Sequence, residues 1–204
     1  MSLKLYYTPG ACSLSSHIVL EESNLPYATV RVDLKTHQTQ DGADFHAINP
    51  LGYVPVLELE DGSRLREGPV ISQYIADQVP QKNLAPANGT LARYRLQEWL
   101  TFISTELHKN CGPLFSPATP DAFKAFIKDR LLARFKWLDG ELEGKSYLMG
   151  EHFTVADAYL FTVTSWAKPL DLDISALSHL NALCARAAAR PAVQATLKAE
   201  GLLK

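Results

Sequence analysis

A cysteine stands between a strand-like run and a helix-like run in Thr8-Pro9-Gly10-Ala11-Cys12-Ser13-Leu14-Ser15. At such a corner the unpaired amides and the positive end of the helix dipole favour a thiolate, and this placement lowers a cysteine pKa from ~8.5 toward ~3.5–7.5. The spacing Cys12-x-x-Ser15 is the one-thiol form of a redox motif, able to form a mixed disulfide but not to resolve it internally. A small residue closing a helix is the plain alternative. Position alone gives the two readings equal standing, because Cys is a poor cap and such a corner is exposed.

Three other groups have chemistry at comparable places. In Asn49-Pro50-Leu51-Gly52-Tyr53-Val54-Pro55-Val56-Leu57 two prolines flank a turn that enters a strand. A cis Val54–Pro55 bond would leave the Val54 N–H and C=O free to pair with an extended peptide, whereas a trans bond gives a simple turn, and sequence does not fix the isomer. In Glu67-Gly68-Pro69 an acid precedes a helix start, an arrangement that receives an amino-acid zwitterion from both ends, ammonium on Glu67 and carboxylate on the amides from Gly68 onward. An acid near a helix start also simply suits the macrodipole. Finally Thr101, Ser104, Thr105 and His108 recur at helical spacing and form a polar stripe, which either faces water or closes over Cys12 with His108 polarising the thiolate. His108-x-x-Cys111 lacks a second ligand pair, so zinc is not expected.

The elements that must position these groups fall into two halves. Leu3 to Tyr7 and Ala28 to Val32 read as strands joined by one helix, a right-handed parallel βαβ unit. Val54 to Leu59 and Arg64 to Leu65 flank Glu60-Asp61-Gly62-Ser63 as an antiparallel hairpin, and a helix runs from Gly68-Pro69 to a stop at Pro80. The stretch 81–89 reads as a linker. Beyond it strands disappear: Leu96, Leu100, Ile103 and Leu107 form one apolar stripe and Ile127, Leu131, Phe135, Leu138 and Leu142 another, predicting a long antiparallel helix pair. A capping box is expected at Thr154 with Asp157, and two shorter helices over 176–189 and after Pro191. The expected division is an α/β domain over 1–80, the linker, and an all-helical domain over 90–204.

Composition supports a folded protein of this kind. The 204 residues carry 47% apolar and 21% charged side chains and a formal charge of -2, which excludes disorder and gives no footprint for nucleic acid or anionic lipid. No stretch has the length and apolarity to cross a membrane, and the N-terminus has no secretion-signal pattern. The three cysteines, Cys12, Cys111 and Cys184, are odd in number and scattered, pointing to a reducing cytoplasm and not to a disulfide framework.

Together these features resemble the cytosolic glutathione transferases over essentially the whole chain. The bacterial beta class is the nearest, through Lys4-Leu5-Tyr6-Tyr7-Thr8-Pro9-Gly10-Ala11-Cys12-Ser13-Leu14, Glu98-Trp99-Leu100, Glu106-Leu107-His108-Lys109 and Phe153-Thr154-Val155-Ala156-Asp157-Ala158-Tyr159-Leu160-Phe161. The resemblance implies a thioredoxin-like first domain, glutathione as co-substrate without a metal, and a homodimer. It implies that Cys12 contacts or covalently binds glutathione's sulfur, with His108 at the same site. Val54 would pair with the cysteinyl backbone, Glu67 and Gly68 with the γ-glutamyl end, and Thr105 would approach from the second domain. The chain departs from the class where His37 replaces a lysine directed at the glycine carboxylate, with Lys35 as the other candidate, where Thr101 replaces an asparagine, and where Gly68 replaces a serine. Phe115 and Trp166 are the candidate walls of an electrophile pocket, with ordinary core as the alternative. The implied activity is conjugation of glutathione to small, often hydrophobic electrophiles, with thiol transfer or peroxidase chemistry through Cys12 at its side. A non-catalytic carrier of apolar ligands is the competing reading, and an interaction module without a small-molecule site the third.

Overall fold

The computed structural model describes residues 3–203. Its described residues divide into two compact units, one comprising residues 3–85 with 190–203 and the other 86–189.

The first unit is built on a five-stranded sheet. β1 (Leu3–Tyr7) and β2 (Tyr27–Asp33) pair in parallel, Leu3 opposite Tyr27, with α1 (Ser13–Ser23) as their crossover. The hairpin of β4 (Val56–Glu58) and β5 (Arg64–Arg66) turns through Gly62 at φ +82°, and β4 lies antiparallel to β1. A two-residue strand, β3 (Gln38–Thr39), extends the sheet beyond β2 and gives the order β3-β2-β1-β4-β5. β3 has no signature in the sequence, because two residues carry no alternation to read. Helix α2 (Gly68–Gln78) has Pro69 in its first turn, where a missing N–H costs nothing, and a 3-10 turn at Pro80–Lys82 follows it. Leu5, Ile18, Val19, Leu20, Leu57, Ile71 and Ile75 are fully buried and form the core of this unit.

The second unit is helical. α3 (Leu91–Phe102) starts at Thr90, whose hydroxyl accepts the Arg93 amide, and passes through a π-helical turn at Ile103–His108 into α4 (Lys109–Phe115). α5 (Asp121–Glu141) returns antiparallel to it: Glu106 pairs with Arg130 and Arg134, while Trp99 and Phe102, earlier in the chain, contact Trp137, which lies later. Both expected apolar stripes are buried along their whole length. α6 (Val155–Thr164) has both halves of the capping box at Thr154 and Asp157 and is buried almost all round, as a central helix must be. α7 (Ser178–Ala188) closes the unit.

The last helix, α8 (Pro191–Ala199), departs from the expected 90–204 division, since it belongs with the first unit. The reason is electrostatic as much as apolar. Glu200, buried at the end of α8, accepts the Gly10 amide at 2.9 Å through one carboxylate oxygen and bonds His17 Nδ1 at 2.8 Å through the other. At the start of α8, Arg190 makes a fork to both oxygens of Glu22 at 2.5 and 2.9 Å. Removing the Glu200 carboxylate leaves the buried His17 imidazole and the partly buried Gly10 amide without that acceptor, at a cost of about 3 kcal/mol. Glu200→Ala is therefore expected to lower the thermal midpoint by roughly 10 °C in a calorimetric scan, and an unchanged midpoint would show that α8 docks without it.

Candidate functional site

Cys12 occupies the N-cap position of α1, and the corner that presents it is tied by short bonds. Ser13 Oγ accepts the Thr8 amide at 3.1 Å, the Ala11 amide reaches Thr8 O at 3.1 Å, and Glu200 holds Gly10. The Cys12 thiol donates to the Val54 carbonyl at 3.2 Å, a bond only the protonated sulfur can make. The Val54–Pro55 peptide is cis. Asn49 Nδ2 bonds Tyr53 O at 2.7 Å and fixes the turn that precedes it.

The third motif meets these two. A Cβ placed on Gly68 would lie 3.7 Å from Pro55 Cγ and 3.8 Å from Ser15 Oγ and Ser16 Oγ, ordinary contact distances. So the first turn of α1, the Val54–Pro55 turn and the start of α2 converge, three segments far apart in sequence. Glu67 sits at that start with φ +66°, a conformation unfavourable for a residue with a Cβ by ~1–3 kcal/mol and found preferentially at ligand sites. No side-chain cap bond from Glu67 offsets it. Two helix N-termini and one carboxylate thus surround the cis Val54–Pro55 turn, which suits an extended peptide bearing an α-carboxylate and an α-ammonium.

Lys35 and His37 lie on the β2–β3 connection. Lys35 is exposed, and its amide is held by Asp33 Oδ1 at 2.7 Å. His37 has φ +53° and its ring lies 4.4 Å from that of His46. Both imidazoles pack on Gly52, where a Cβ would come within 2.7 Å of His37 Nδ1 and 2.9 Å of His46 Cε1. Gly52, at φ +68°, therefore has no substitute.

In the second unit, the stripe expected at regular helical spacing runs through the π-helical turn, an insertion that widens the helix and recurs at functional sites. Thr101 and Thr105 are exposed, with Thr105 Oγ1 bonding Thr101 O at 3.0 Å. His108 Nδ1 lies 2.6 Å from the hydroxyl of buried Tyr159, and its ring 5.0 Å from that of Trp166. Phe115, half exposed, stands edge-on to Trp166 at 6.0 Å, so the two candidate walls are neighbours, one at the surface and one buried. Burial pushes His108 down to about 4, helped by the charge on Lys109, so the imidazole is neutral at ordinary pH. Burial also pushes the Cys111 and Cys184 thiols up to about 12, leaving neither reactive. A cavity of about 560 Å³ opens at the end of α6, lined by Phe161, Thr164, Lys168, Leu172 and Cys184 among others, and includes none of the candidate residues. Among the described residues no group of three metal-ligating side chains occurs.

Sequence reasoning missed Glu200, which supports Gly10 from 190 positions away and has no local signature. It also missed the backbone of Glu67, which no sequence pattern encodes in a residue other than glycine. Tyr159 lies in a quoted motif, but only the fold shows what its hydroxyl touches.

The first unit has the thioredoxin-like arrangement and the second is all helical, the two-domain class that the site also indicates. Residues 10–78 match the glutathione S-transferase N-terminal domain and residues 102–191 the C-terminal domain of that family. The chain is 45% identical over 200 residues to glutathione S-transferase GstA of Escherichia coli O157:H7, covering 98% of this chain and 100% of that one. Among solved structures it is similar to a sphingomonad glutathione S-transferase complexed with glutathione (TM-score 0.94, 46% identity, 98% and 99% coverage) and to the beta-class enzyme of Sphingomonas chungbukensis (0.95, 46%, 98% and 100%). This chain belongs to the glutathione S-transferase family, in its bacterial beta class.

The neutral His108 has a consequence for acid stability. The unfolded imidazole takes up a proton below ~6.5, while the folded one resists until about 4. Its contribution is present above the unfolded value and is lost as pH falls toward the folded one. Asp157, raised to about 6 by burial, works in the opposite sense over the same range, so the comparison must be made against a variant that retains it. Between pH 6.5 and 4 the thermal midpoint of the wild type should fall more steeply than that of His108→Gln. Parallel slopes would place an ordinary, solvated histidine at 108.

Proposed function

We propose that this protein binds glutathione in its first unit and conjugates the glutathione sulfur to small electrophiles. The convergence of Cys12, Val54–Pro55 and Glu67–Gly68 carries the reading. In it, the Val54 backbone pairs with the cysteinyl residue of glutathione, Glu67 takes the γ-glutamyl ammonium, and the Gly68 amide takes its carboxylate. His37 or Lys35 serves the glycine carboxylate, and Thr105 and His108 serve the same ligand from the second unit. Phe115, with buried Trp166 behind it, offers an apolar, aromatic surface to a hydrophobic electrophile.

Conjugation needs a thiolate. The N-terminus of α1 supplies the positive end of the helix dipole, which stabilises the anionic sulfur of glutathione as its proton leaves to solvent; the sulfur then forms a C–S bond to the electrophile and the leaving group departs. The same position lets Cys12 attack a mixed disulfide with glutathione, releasing the other thiol and leaving a Cys12–glutathione disulfide. A second glutathione resolves it, yielding oxidised glutathione and the free Cys12 thiol. Conjugation does not require the Cys12 sulfur, and disulfide exchange does.

A homodimer in the cytoplasm completes the proposal. Leu91, Tyr94 and Trp137 are exposed apolar side chains on α3 and α5, a surface of the kind a second copy covers, and the three cysteines are all free thiols, as a reducing compartment keeps them. Light scattering reads the first point. Cys12→Ala is expected to keep conjugation within about tenfold of the wild type and to abolish both disulfide turnover and the mass adduct formed with oxidised glutathione. If conjugation disappears with the adduct, Cys12 is the nucleophile in both reactions.

A further inference from the structure

The contact between His108 and Tyr159 decides which nitrogen of the imidazole holds the proton. We infer that Tyr159 is a positioning residue: its hydroxyl donates to His108 Nδ1 and fixes the imidazole as the Nε2–H tautomer, which makes His108 a hydrogen-bond donor to its ligand and not a base. This rests on the glutathione-binding reading above, which it deepens by assigning what His108 does.

Three observations carry it. First, the O···N separation is 2.6 Å, short for a bond between neutral partners, and the Tyr159 side chain is buried. A phenol is much the stronger acid of the two groups and the imidazole lone pair much the stronger acceptor, so the proton lies on oxygen and points at Nδ1. In a neutral histidine the hydrogen bond made by one nitrogen settles the state of the other, so Nε2 carries the remaining hydrogen. Second, a half-turn of the ring would put Cδ2 where Nδ1 stands and lose the bond to Tyr159, and two aromatic neighbours hold the plane of the ring. The Tyr159 ring stands at 85° to it with centroids 5.8 Å apart, and the Trp166 ring at 61° and 5.0 Å. Third, the imidazole is neutral at working pH, as burial requires, so the tautomer is a real choice.

A neutral Nε2–H has no lone pair at that nitrogen with which to take the thiol proton of glutathione. It can only donate, and a donor favours an anionic sulfur over a neutral one. The proton therefore leaves by another route, and the part of His108 is to stabilise what remains.

The test reads the tautomer directly in the ligand-free protein, so its outcome does not depend on whether the chain turns out to conjugate glutathione. In long-range 15N–1H spectra of the 15N-histidine-labelled wild type, His108 should show a protonated-type Nε2 and an unprotonated-type Nδ1. In Tyr159→Phe, which keeps the ring and loses the hydroxyl, the two signals should move toward each other as tautomers mix. Turnover of an electrophile in that variant should fall about tenfold in kcat with KM for glutathione changed less than about twofold, in the range of losses when an orienting partner of a functional histidine is removed. His108→Gln, whose amide offers a donor in place of Nε2–H, should retain clearly more activity than His108→Ala. A protonated Nδ1 or an imidazolium in the wild type would overturn the inference, as would equal losses in the glutamine and alanine variants. Should Tyr159→Phe fail to fold, the wild-type spectrum and the pair of His108 variants still decide it. A protein that shows the expected tautomer but no binding of glutathione would leave the positioning intact and defeat the functional reading instead.

Discussion

The position of Cys12 depends on how the β1–α1 corner is closed. A sulfur at a helix N-terminus has chemical meaning only if the helix starts at that residue, and here the start is set by bonds among Thr8, Ala11 and Ser13 and by the carboxylate of Glu200 on the Gly10 amide. Glu200 comes from the last helix, so the corner is finished only when the end of the chain has folded back onto the first unit. The same carboxylate holds His17 one turn further along α1, tying the helix and the corner to one anchor.

Once α1 is placed, the remaining constraints are steric. A Cβ on Gly68 would meet Ser15, Ser16 and Pro55 at contact distance, so the start of α2 lies against the start of α1 with the Val54–Pro55 turn beside them. Glu67 takes an unfavourable backbone conformation at that junction, and a fold tolerates such a residue where the geometry serves a ligand. Local strain at Glu67, a glycine without alternative at Gly52 and an imidazole pair above it all lie on the loops that edge the sheet, while the buried core beneath is ordinary aliphatic packing.

Much of this was legible in the sequence for physical reasons. The βαβ-ββα order follows from alternation and from turn residues such as Asp61-Gly62, and the helical unit from stripes whose every member is buried. The capping box at Thr154 and Asp157 is local, so it reads directly from four residues. What escaped is long-range or conformational. β3 is too short to show a period, and the docking of α8 depends on Glu200 and Arg190 meeting partners more than 160 positions away. The π-helical turn and the φ of Glu67 have no residue signature, and the Tyr159 hydroxyl gains its role only when α6 packs beside the π-helical turn.

The measurement that tests the account most directly is a calorimetric titration of the protein with glutathione, in wild type and in Glu67→Gln. The account predicts one site per chain in the wild type, weakened about tenfold or more by the loss of the carboxylate's charge-assisted bond to the ammonium, with thermal stability little changed. No heat of binding in the wild type, or equal affinity in the two proteins, would contradict the claim that Cys12, Val54 and Glu67 form a glutathione site.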